Sequence, residues 1–214
     1  MLPEVNRIFE DLFKRFPQLS VCKQDIEKAF EVLKDCYEKG GGILVCGNGG
    51  SAADSEHIVG ELMKGFLKKR PIYEKDKESL KTWFPNEWEY LSNNLQGALP
   101  AISLVSQTAL SSAFINDVAP DMVFAQQVYG YAKEGDVLLS ISTSGKAKNV
   151  VNAVMVAKVL GVKTIGMTGE KGGLLQGLCD VTIRVPSDET SRVQEYHLPV
   201  YHALCAMIEE VFFE

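Results

Sequence analysis

The sequence predicts an α/β fold: a doubly wound parallel sheet with helices on both faces, preceded by two N-terminal helices. Two observations carry this prediction. Short, unbroken apolar runs such as ILVC at 43–46 and VLLSI at 137–141 are typical of strands that are buried on both faces. Segments with helical spacing of apolar residues alternate with these runs, and that alternation is the pattern of a parallel sheet. At 214 residues, the chain can bury a full core.

The first hundred residues contain three predicted helices, one strand and an insertion. Apolar residues recur at helical spacing from Val5 to Phe13, and Pro17 ends that helix. A second helix is predicted over 21–38, a strand over 43–47 and a third helix over 51–67. Residues 68–97 are polar and lack a clear period, so we expect an insertion with one short helix. Its basic start, Lys68 to Arg70, is interpreted as a solvated helix end.

The second half continues the alternation. The predicted strands are 101–106, 137–142, 163–169 and 180–186; the predicted helices are 121–133, 144–161, 172–179 and 191–213, and 110–120 is helix or loop. The simplest organisation is a single domain over 1–214, with a helical pair at 1–40 and the insertion at 68–97. The leading helices are apolar enough to need a partner, so we expect self-association as a bundle.

Composition excludes several classes of function. Hydrophobic residues make up 46% and charged residues 23%, and the net charge is −6, as in ordinary globular proteins. The sequence has no basic stripe of the kind that indicates nucleic-acid binding. No apolar run approaches the roughly 20 residues of a membrane span. The five cysteines are scattered, which argues against a disulfide framework. We expect a cytoplasmic protein with reduced thiols.

Two strand–turn–helix junctions carry anion-binding features. Gly47-Asn48-Gly49-Gly50-Ser51 follows the first strand, and its glycines let backbone N–H groups approach an anion at a helix N-terminus. Ser142-Thr143-Ser144-Gly145 follows the strand at 137–141, and its three hydroxyls suit phosphate oxygens. The alternative for the hydroxyls is helix capping. A dinucleotide site is disfavoured because no acidic residue ends a second strand about 20 positions after the glycines.

The histidines lie near these junctions. His57 and Glu61 are one turn apart on the predicted third helix, and Gln194 and His202 are two turns apart on the last helix. Such residues could overhang a bound phosphosugar. The alternative is that His57 is a partly buried, hydrogen-bonded histidine and that His202 fills the core. His197 is interpreted as a core histidine.

Three segments together resemble the sugar isomerase (SIS) domain family, and most closely its sedoheptulose 7-phosphate isomerases, or phosphoheptose isomerases. They are GNGGSAADSEHIVGEL, STSGKAKNVV and TSRVQEYHLPVYHALCAMIE. The resemblance implies a flavodoxin-like sheet and a homotetramer with active sites between subunits. It also implies an isomerase of heptose biosynthesis that converts sedoheptulose 7-phosphate to D-glycero-D-manno-heptose 7-phosphate through an enediol.

The resemblance also implies roles for individual residues. Glu61 matches the general base and His202 the general acid. A zinc ion, one per subunit, is implied by four matching ligands: His57, Glu61, Gln194 and His202. The implied substrate-binding residues are Asn48, Gly49, Gly50, Ser51, Glu61, Asn116, Asp117, Ser142, Thr143, Ser144 and Gln194.

Some positions depart from the family pattern. Lys146 and Ala147 stand where the phosphate loop usually continues with Asn and Ser, and Ser191 replaces a frequent aspartate. The insertion is longer than usual. Two alternatives therefore stay open at this point: a non-enzymatic SIS protein that binds a replication initiator, and an SIS enzyme for another phosphosugar.

Overall fold

The computed structural model describes residues 2–213 and contains one five-stranded sheet, in which all strands are parallel and the order is β2-β1-β3-β4-β5. The strands are β1 (Ile43–Gly47), β2 (Ala101–Ser103), β3 (Val137–Ile141), β4 (Lys163–Thr168) and β5 (Val181–Arg184). The predicted parallel sheet is therefore confirmed. Each predicted strand forms: β1 has the predicted bounds, and the other four strands are shorter at one or both ends.

Ten α-helices connect and cover the strands within the described residues. They are α1 (Pro3–Arg15), α2 (Lys23–Glu38), α3 (Gly50–Met63), α4 (Glu74–Trp83), α5 (Trp88–Asn94), α6 (Thr108–Asp117), α7 (Val123–Tyr131), α8 (Lys148–Val159), α9 (Leu175–Leu178) and α10 (Thr190–Phe212). Two 3₁₀ turns, Pro17–Cys22 and Pro120–Met122, lead into α2 and α7.

The sheet is covered on both faces because side chains alternate along each strand. On β1, Ile43 and Val45 point into a core shared with α1, α2, α3 and α10. Leu44 and Cys46 point into a second core with α7 and α8. The doubly wound arrangement follows from this alternation, because a strand that is apolar at every position needs a cover on each side.

The two N-terminal helices find their partner within the chain. Phe9 of α1 and Phe30 of α2 are almost fully buried in the core that contains α10. The helices form as predicted, and their self-association as a bundle stays a prediction. Helix α10 and the sheet cover their apolar faces.

The region after α3 differs from the prediction. Helix α3 ends at Met63 rather than at 67, because the next residues turn to reach α10. The buried Glu209 carboxylate accepts hydrogen bonds from the backbone N–H groups of Phe66 and Leu67 and from Arg70 Nε, at 2.7–2.8 Å. Arg70 is 1% exposed and also donates to the α3 carbonyls of Glu61 and Leu62. The interpretation of Lys68–Arg70 as a solvated helix end is therefore wrong for Arg70.

The insertion forms two helices, α4 and α5, instead of one. Helix α4 has no buried residue, so no apolar period marks it in the sequence. Charged pairs such as Glu74 with Lys77 at i,i+3 support it instead. The cation of Lys81 lies 5.5 Å from the ring centroid of Trp88 and joins the two helices.

All five cysteines are free thiols, as predicted. No helix in the described part of the chain, 2–213, is long and apolar enough to cross a membrane.

Candidate active site

The glycine loop (Gly47–Ser51) and the hydroxyl loop (Ser142–Gly145) lie side by side at the carboxyl ends of the sheet strands. They follow β1 and β3, which are adjacent parallel strands, so their carboxyl ends meet. Between them is a cavity of about 350 Å³. It is lined by Asn48, Gly49, Gly50, Ser51, Ser142, Thr143, Ser144, Thr190 and Gln194, among others. The structure thus joins both predicted loops and Gln194 around one cavity, which we call the cradle.

The hydroxyl loop is held by glycine contacts rather than by helix capping. Helix α8 begins at Lys148, its N-cap residue is Ala147, and no side chain caps it. Gly145 has φ +63°, and a Cβ there would lie 2.0 Å from the carbonyl oxygen of Gly172. The capping alternative is therefore wrong for α8. Ser144 Oγ accepts a local hydrogen bond from the Lys146 N–H at 3.2 Å, whereas no intrachain bond occupies the hydroxyl of Ser142 or Thr143 within residues 2–213.

A pair of amides connects the two loops. Asn48 and Asn149 each donate from Nδ2 to the other's Oδ1 at 2.9 Å. Asn149 lies in the first turn of α8 and also accepts from the Val150 N–H. Sequence reasoning did not single out Asn149, because nothing in the local pattern shows that its partner is 101 residues away.

A second cluster lies where α3 and α10 pack together. His57 Nε2 is 3.2 Å from Glu61 Oε1 and 3.4 Å from His202 Nε2. The two imidazole rings meet edge to face, with centroids 4.9 Å apart. Glu61 therefore approaches His202 through a shared neighbour, His57, within one chain. The alternative of His202 as a core filler is wrong, because it lies at this partly exposed cluster.

The charges of this cluster are set by burial and by close neighbours. The Glu61 side chain is 12% exposed, and its Oε2 atom is buried without a hydrogen-bond partner among the described residues. The nearest cation is Lys64 Nζ, 3.5 Å from Oε2. Burial lowers the pKa of His202, and His57 lowers it further, whereas Glu61 acts in the opposite direction. His202 is accordingly a neutral imidazole at neutral pH.

Two residues behind His57 were not predicted. The Tyr201 hydroxyl lies 3.0 Å from His57 Nδ1 and 3.3 Å from Asp54 Oδ1. Burial raises the pKa of the Asp54 carboxyl, against the opposing effects of Tyr201 and His57. Asp54 is one turn before His57 on α3, and that spacing is the only signal in the sequence that could have indicated it.

His197 is a core histidine, as predicted. It is fully buried, and its Nε2 lies 3.3 Å from the carbonyl oxygen of Thr168. Burial lowers its pKa to about 4. It therefore stays neutral and takes no part in the cluster of His57, Glu61 and His202.

Three predicted site residues lie away from that cluster in the single chain. Gln194 packs against Gly50 in the cradle, and eight residues of helix, about 12 Å along the axis, separate it from His202. Asn116 donates to the side chain of Asp117 at 2.8 Å, and both are exposed on α6. Neither is among the residues lining the cradle.

The fold is that of a doubly wound α/β domain with two glycine-containing loops at the carboxyl ends of adjacent parallel strands. A family model described as the SIS domain matches residues 9–81 and 95–169. Its interruption falls inside the predicted insertion. The chain therefore belongs to the SIS domain family, and its full-length relatives place it more narrowly.

A phosphoheptose isomerase of Campylobacter jejuni (strain 81116) is 38% identical over 212 residues, which cover 99% of this chain and 100% of the relative. A probable phosphoheptose isomerase of Thermoplasma acidophilum is 39% identical, over 88% of this chain and 91% of the relative. The solved phosphoheptose isomerase of Francisella tularensis shares 31% identity and a TM-score of 0.73, over 98% of each chain. The solved phosphoheptose isomerase of Neisseria gonorrhoeae shares 32% identity and a TM-score of 0.68, over 94% of this chain and 98% of the other. Within the SIS domain family, the chain belongs with the phosphoheptose isomerases.

Proposed function

We propose that the chain is an aldose–ketose isomerase of heptose biosynthesis that converts sedoheptulose 7-phosphate to D-glycero-D-manno-heptose 7-phosphate. The observation that carries the proposal is the convergence of a carboxylate, Glu61, and an imidazole, His202, on helices whose N-terminal ends form an anion cradle. The full-length relatives, which are phosphoheptose isomerases, favour this substrate. A non-enzymatic SIS protein would leave the convergence of Glu61, His57 and His202 without a purpose.

The cradle would bind the phosphate and orient the sugar. The hydroxyls of Ser142 and Thr143 and the backbone N–H groups after Gly49 suit a phosphate dianion. From the cradle, α3 and α10 run together to His57 and His202, about 10–12 Å along their axes. The reacting carbons of a heptose 7-phosphate lie at the end opposite the phosphate. Phosphate binding therefore holds those carbons toward the second cluster.

Glu61 would act as the base and His202 as the acid. In the direction from ketose to aldose, Glu61 removes a proton from C1 while His202 donates a proton to the carbonyl oxygen on C2, which gives the enediol. The O1 hydroxyl then returns a proton to His202, and Glu61 delivers its proton to C2. The proton count closes, and both groups regain their starting states.

Zinc is the metal that the family resemblance implies, and the donor chemistry here fits it. Two imidazole nitrogens and a carboxylate are ordinary zinc ligands. Glu61 Oε2 is a buried oxygen that has no hydrogen bond in the described part of the chain, and it forms an ion pair with the exposed Lys64 at 3.5 Å. Bound zinc would polarise a substrate oxygen as a Lewis acid.

The spacing of the donors also bears on zinc. Within residues 2–213, no group of three or more His, Cys, Asp or Glu side chains is placed so that it could hold a metal ion. However, adjacent ligands of a tetrahedral zinc lie about 3.3 Å apart at ordinary zinc–nitrogen distances. The contacts of His57 Nε2 with Glu61 and His202, at 3.2 and 3.4 Å, match that spacing. We propose these three residues as the ligands from one chain when zinc is bound, with Gln194 assigned to the cradle. A donor atom bound to a metal cannot also exchange a proton, so the acid and base roles of His202 and Glu61 belong to the metal-free site.

We further propose the tetramer and the cytoplasmic location that the resemblance implies. Two features support assembly. The side chain of His57 is 42% exposed, so the second cluster is open on one side. Helix α6 has no buried residue although it carries Leu110 and Ile115, so a neighbouring subunit would have an apolar face to cover. Asn116 and Asp117 lie on the same helix and would reach a substrate only across a subunit boundary.

The first test is the substitution Glu61→Gln, which removes the base and keeps the shape. We expect turnover of sedoheptulose 7-phosphate to fall by at least about 100-fold, the size of a general-base contribution. Calorimetric binding of the same sugar should survive, because the cradle is untouched. The matched control is Glu27→Gln, the same change at an exposed position of α2. Normal turnover in Glu61→Gln would contradict the proposed function.

A further inference from the structure

A buried ion pair joins the two helices that hold the proposed acid and base, and the mechanism above does not use it. Arg70 Nε lies 2.7 Å from Glu209 Oε1, and the two side chains are 0% and 1% exposed. Glu209 lies on α10, seven residues and thus about two turns after His202, so both side chains leave the same face of the helix. The pair therefore lies on the face of α10 that carries the second cluster.

The guanidinium of Arg70 holds the end of α3. Its Nη2 donates to the Glu61 carbonyl oxygen at 2.9 Å, and its Nη1 donates to that of Leu62 at 2.7 Å. The last carbonyls of a helix have no partner within the helix, and the helix dipole favours a cation beside them. Arg70 thus ties the last turn of α3, which carries Glu61, to Glu209 of α10.

The segment between α3 and Arg70 extends this link to the imidazole. The Glu209 carboxylate accepts hydrogen bonds from the backbone N–H groups of Phe66, Leu67 and Lys68 at 2.8, 2.7 and 3.2 Å. The ring of Phe66 packs on the ring of His202, with centroids 5.4 Å apart. One carboxylate therefore holds the backbone that packs on the proposed acid and, through Arg70, the turn that carries the proposed base.

Stability alone is a weak reason for such a pair. A buried ion pair often stabilises a fold no more than apolar residues of the same volume would, because desolvation of both charges offsets their attraction. What Arg70 supplies is geometry, since its guanidinium is a planar fork with donors in fixed positions. These donors reach acceptors on both α3 and α10. In an active site, a misplacement of about 1 Å can cost about 100-fold in rate.

We propose that Arg70 and Glu209 are positioning residues that fix the last turn of α3 against α10 and so set the placement of the Glu61 carboxylate relative to His202. The inference rests on the proposed function, because it gives the pair a purpose only where a base and an acid act together. Neither Arg70 nor Glu209 is among the residues that line the cradle. Phosphate binding should therefore not depend on the pair.

The test uses two substitutions that keep both charges and change only their reach. Arg70→Lys replaces the fork by a single ammonium group, and Glu209→Asp shortens the carboxylate by one methylene. Neither leaves a buried charge without its partner, so we expect both variants to fold; should one of them not fold, the other decides. We expect kcat for sedoheptulose 7-phosphate to fall about 10- to 100-fold in each, with KM little changed.

Two controls separate placement from stability. Glu210→Asp makes the same change one residue later, where the carboxylate pairs with the Lys68 side chain at 2.8 Å, and it should leave kcat unchanged. Val128→Ala lowers stability at a fully buried position of α7, in the core that contains no residue of α3 or α10. Normal kcat in Arg70→Lys and Glu209→Asp would overturn the inference. An equal loss of kcat in either control, or a rise in KM in place of the loss in kcat, would also overturn it.

Hydrogen exchange of the full chain, followed by mass spectrometry, separates this inference from the proposed function. In Arg70→Lys and Glu209→Asp, the amides of 59–68 should exchange faster than in the unmodified chain, because the end of α3 opens locally, whereas those of α8 should not change. If the unmodified chain does not isomerise sedoheptulose 7-phosphate but the variants show this exchange pattern, the tie between α3 and α10 stands and only the proposed function fails. If the chain is active and both variants keep its kcat or its exchange over 59–68, only this inference fails.

Discussion

Two histidines five positions apart on α10 have opposite environments, and their neighbours decide the difference. His197 faces the end of β4, bonds the Thr168 carbonyl and is fully buried. His202 faces α3, where His57 and Glu61 share a partly exposed cluster. Desolvation disfavours the charged form of both rings. Only His202 has groups nearby with which it can exchange a proton.

The buried His197 predicts an acid weakness of the fold. Its folded pKa is about 4, below the ordinary value of 6.5, so the unfolded chain binds one more proton between these values. The free energy of unfolding should therefore fall as pH drops from about 6.5 to 4, by about 1 kcal/mol per pH unit from this group. Urea unfolding at several pH values measures this slope.

The variant His197→Gln checks that the slope belongs to this residue. It replaces the ring by a neutral amide that can still donate to Thr168. Between pH 6 and pH 5, its loss of stability should be smaller than that of the unmodified chain by about 1 kcal/mol. Parallel pH curves for the two proteins would assign the acid weakness to other groups.

At the scale of elements, the anion cradle depends on backbone packing between two loops. Gly145 of the hydroxyl loop accepts from the Leu174 N–H at 2.8 Å and lies against Gly172 and Gly173. Gly173 has φ +56°, and a Cβ there would be 2.4 Å from the Ser144 carbonyl oxygen. Only glycine fits in this contact, because the backbones of the hydroxyl loop and of Gly172–Gly173 lie too close together for a side chain.

The substitution Gly173→Ala should therefore disturb the cradle. We expect a stability loss of about 1–3 kcal/mol, since a non-glycine residue would be strained and would clash. We also expect KM for the phosphosugar to rise about tenfold, the cost of one weakened hydrogen bond to a charged phosphate. Thermal unfolding and steady-state kinetics measure the two effects.

The matched control is Gly177→Ala on α9, where a Cβ would meet nothing within 4 Å. It should leave KM unchanged and leave stability equal or slightly higher, because alanine is the better helix former. An equal effect of both substitutions would show that the Gly173 contact does not control the cradle.

At the scale of the whole molecule, exposed apolar residues occur along much of the chain, and helix α6 is an element that exposes apolar residues and buries none. Helices α1, α2 and α10 cover one another. In contrast, α6 exposes Leu110 and Ile115, and Val118 directly after it is exposed too. Helix α6 packs mainly on the turn that follows it, Pro120–Met122, and on α7. An apolar helix without a cover is typical of a surface that meets another protein. The open second cluster and this helix would both be completed by neighbouring subunits.

Assembly through α6 predicts that Ile115→Asp lowers the oligomeric state. A carboxylate at a buried interface position is costly unless it is paired. Light scattering after size-exclusion chromatography should show a tetramer for the unmodified chain and a smaller species for the variant, with less isomerase activity. Val159→Asp, at an 86% exposed position of α8, is the matched control and should not change the mass. A tetramer that withstands Ile115→Asp would exclude α6 from the interface.

Local patterns in the sequence determined much of this protein. The apolar runs, the helical periods and the two loops after β1 and β3 predicted the sheet, its helices and the cradle, because burial and backbone freedom are expressed in neighbouring residues. The apolar pattern gave no prediction where the buried residue is polar or where a helix buries no residue. Arg70 lies in the core because it pairs with Glu209, which is 139 residues later in the chain. Helix α4 has no buried apolar face, so no apolar period in the sequence indicated it.

Only the tertiary structure decided how the site residues combine. Spacing alone placed His57 with Glu61 and Gln194 with His202, but the parallel packing of α3 on α10 joins His57 to His202 and sends Gln194 to the cradle. The same packing brings Tyr201 behind His57. Tyr201 is 144 positions from His57 and 147 positions from Asp54, and it contacts both. Contacts over such distances depend on how two helices meet, and no local pattern records that.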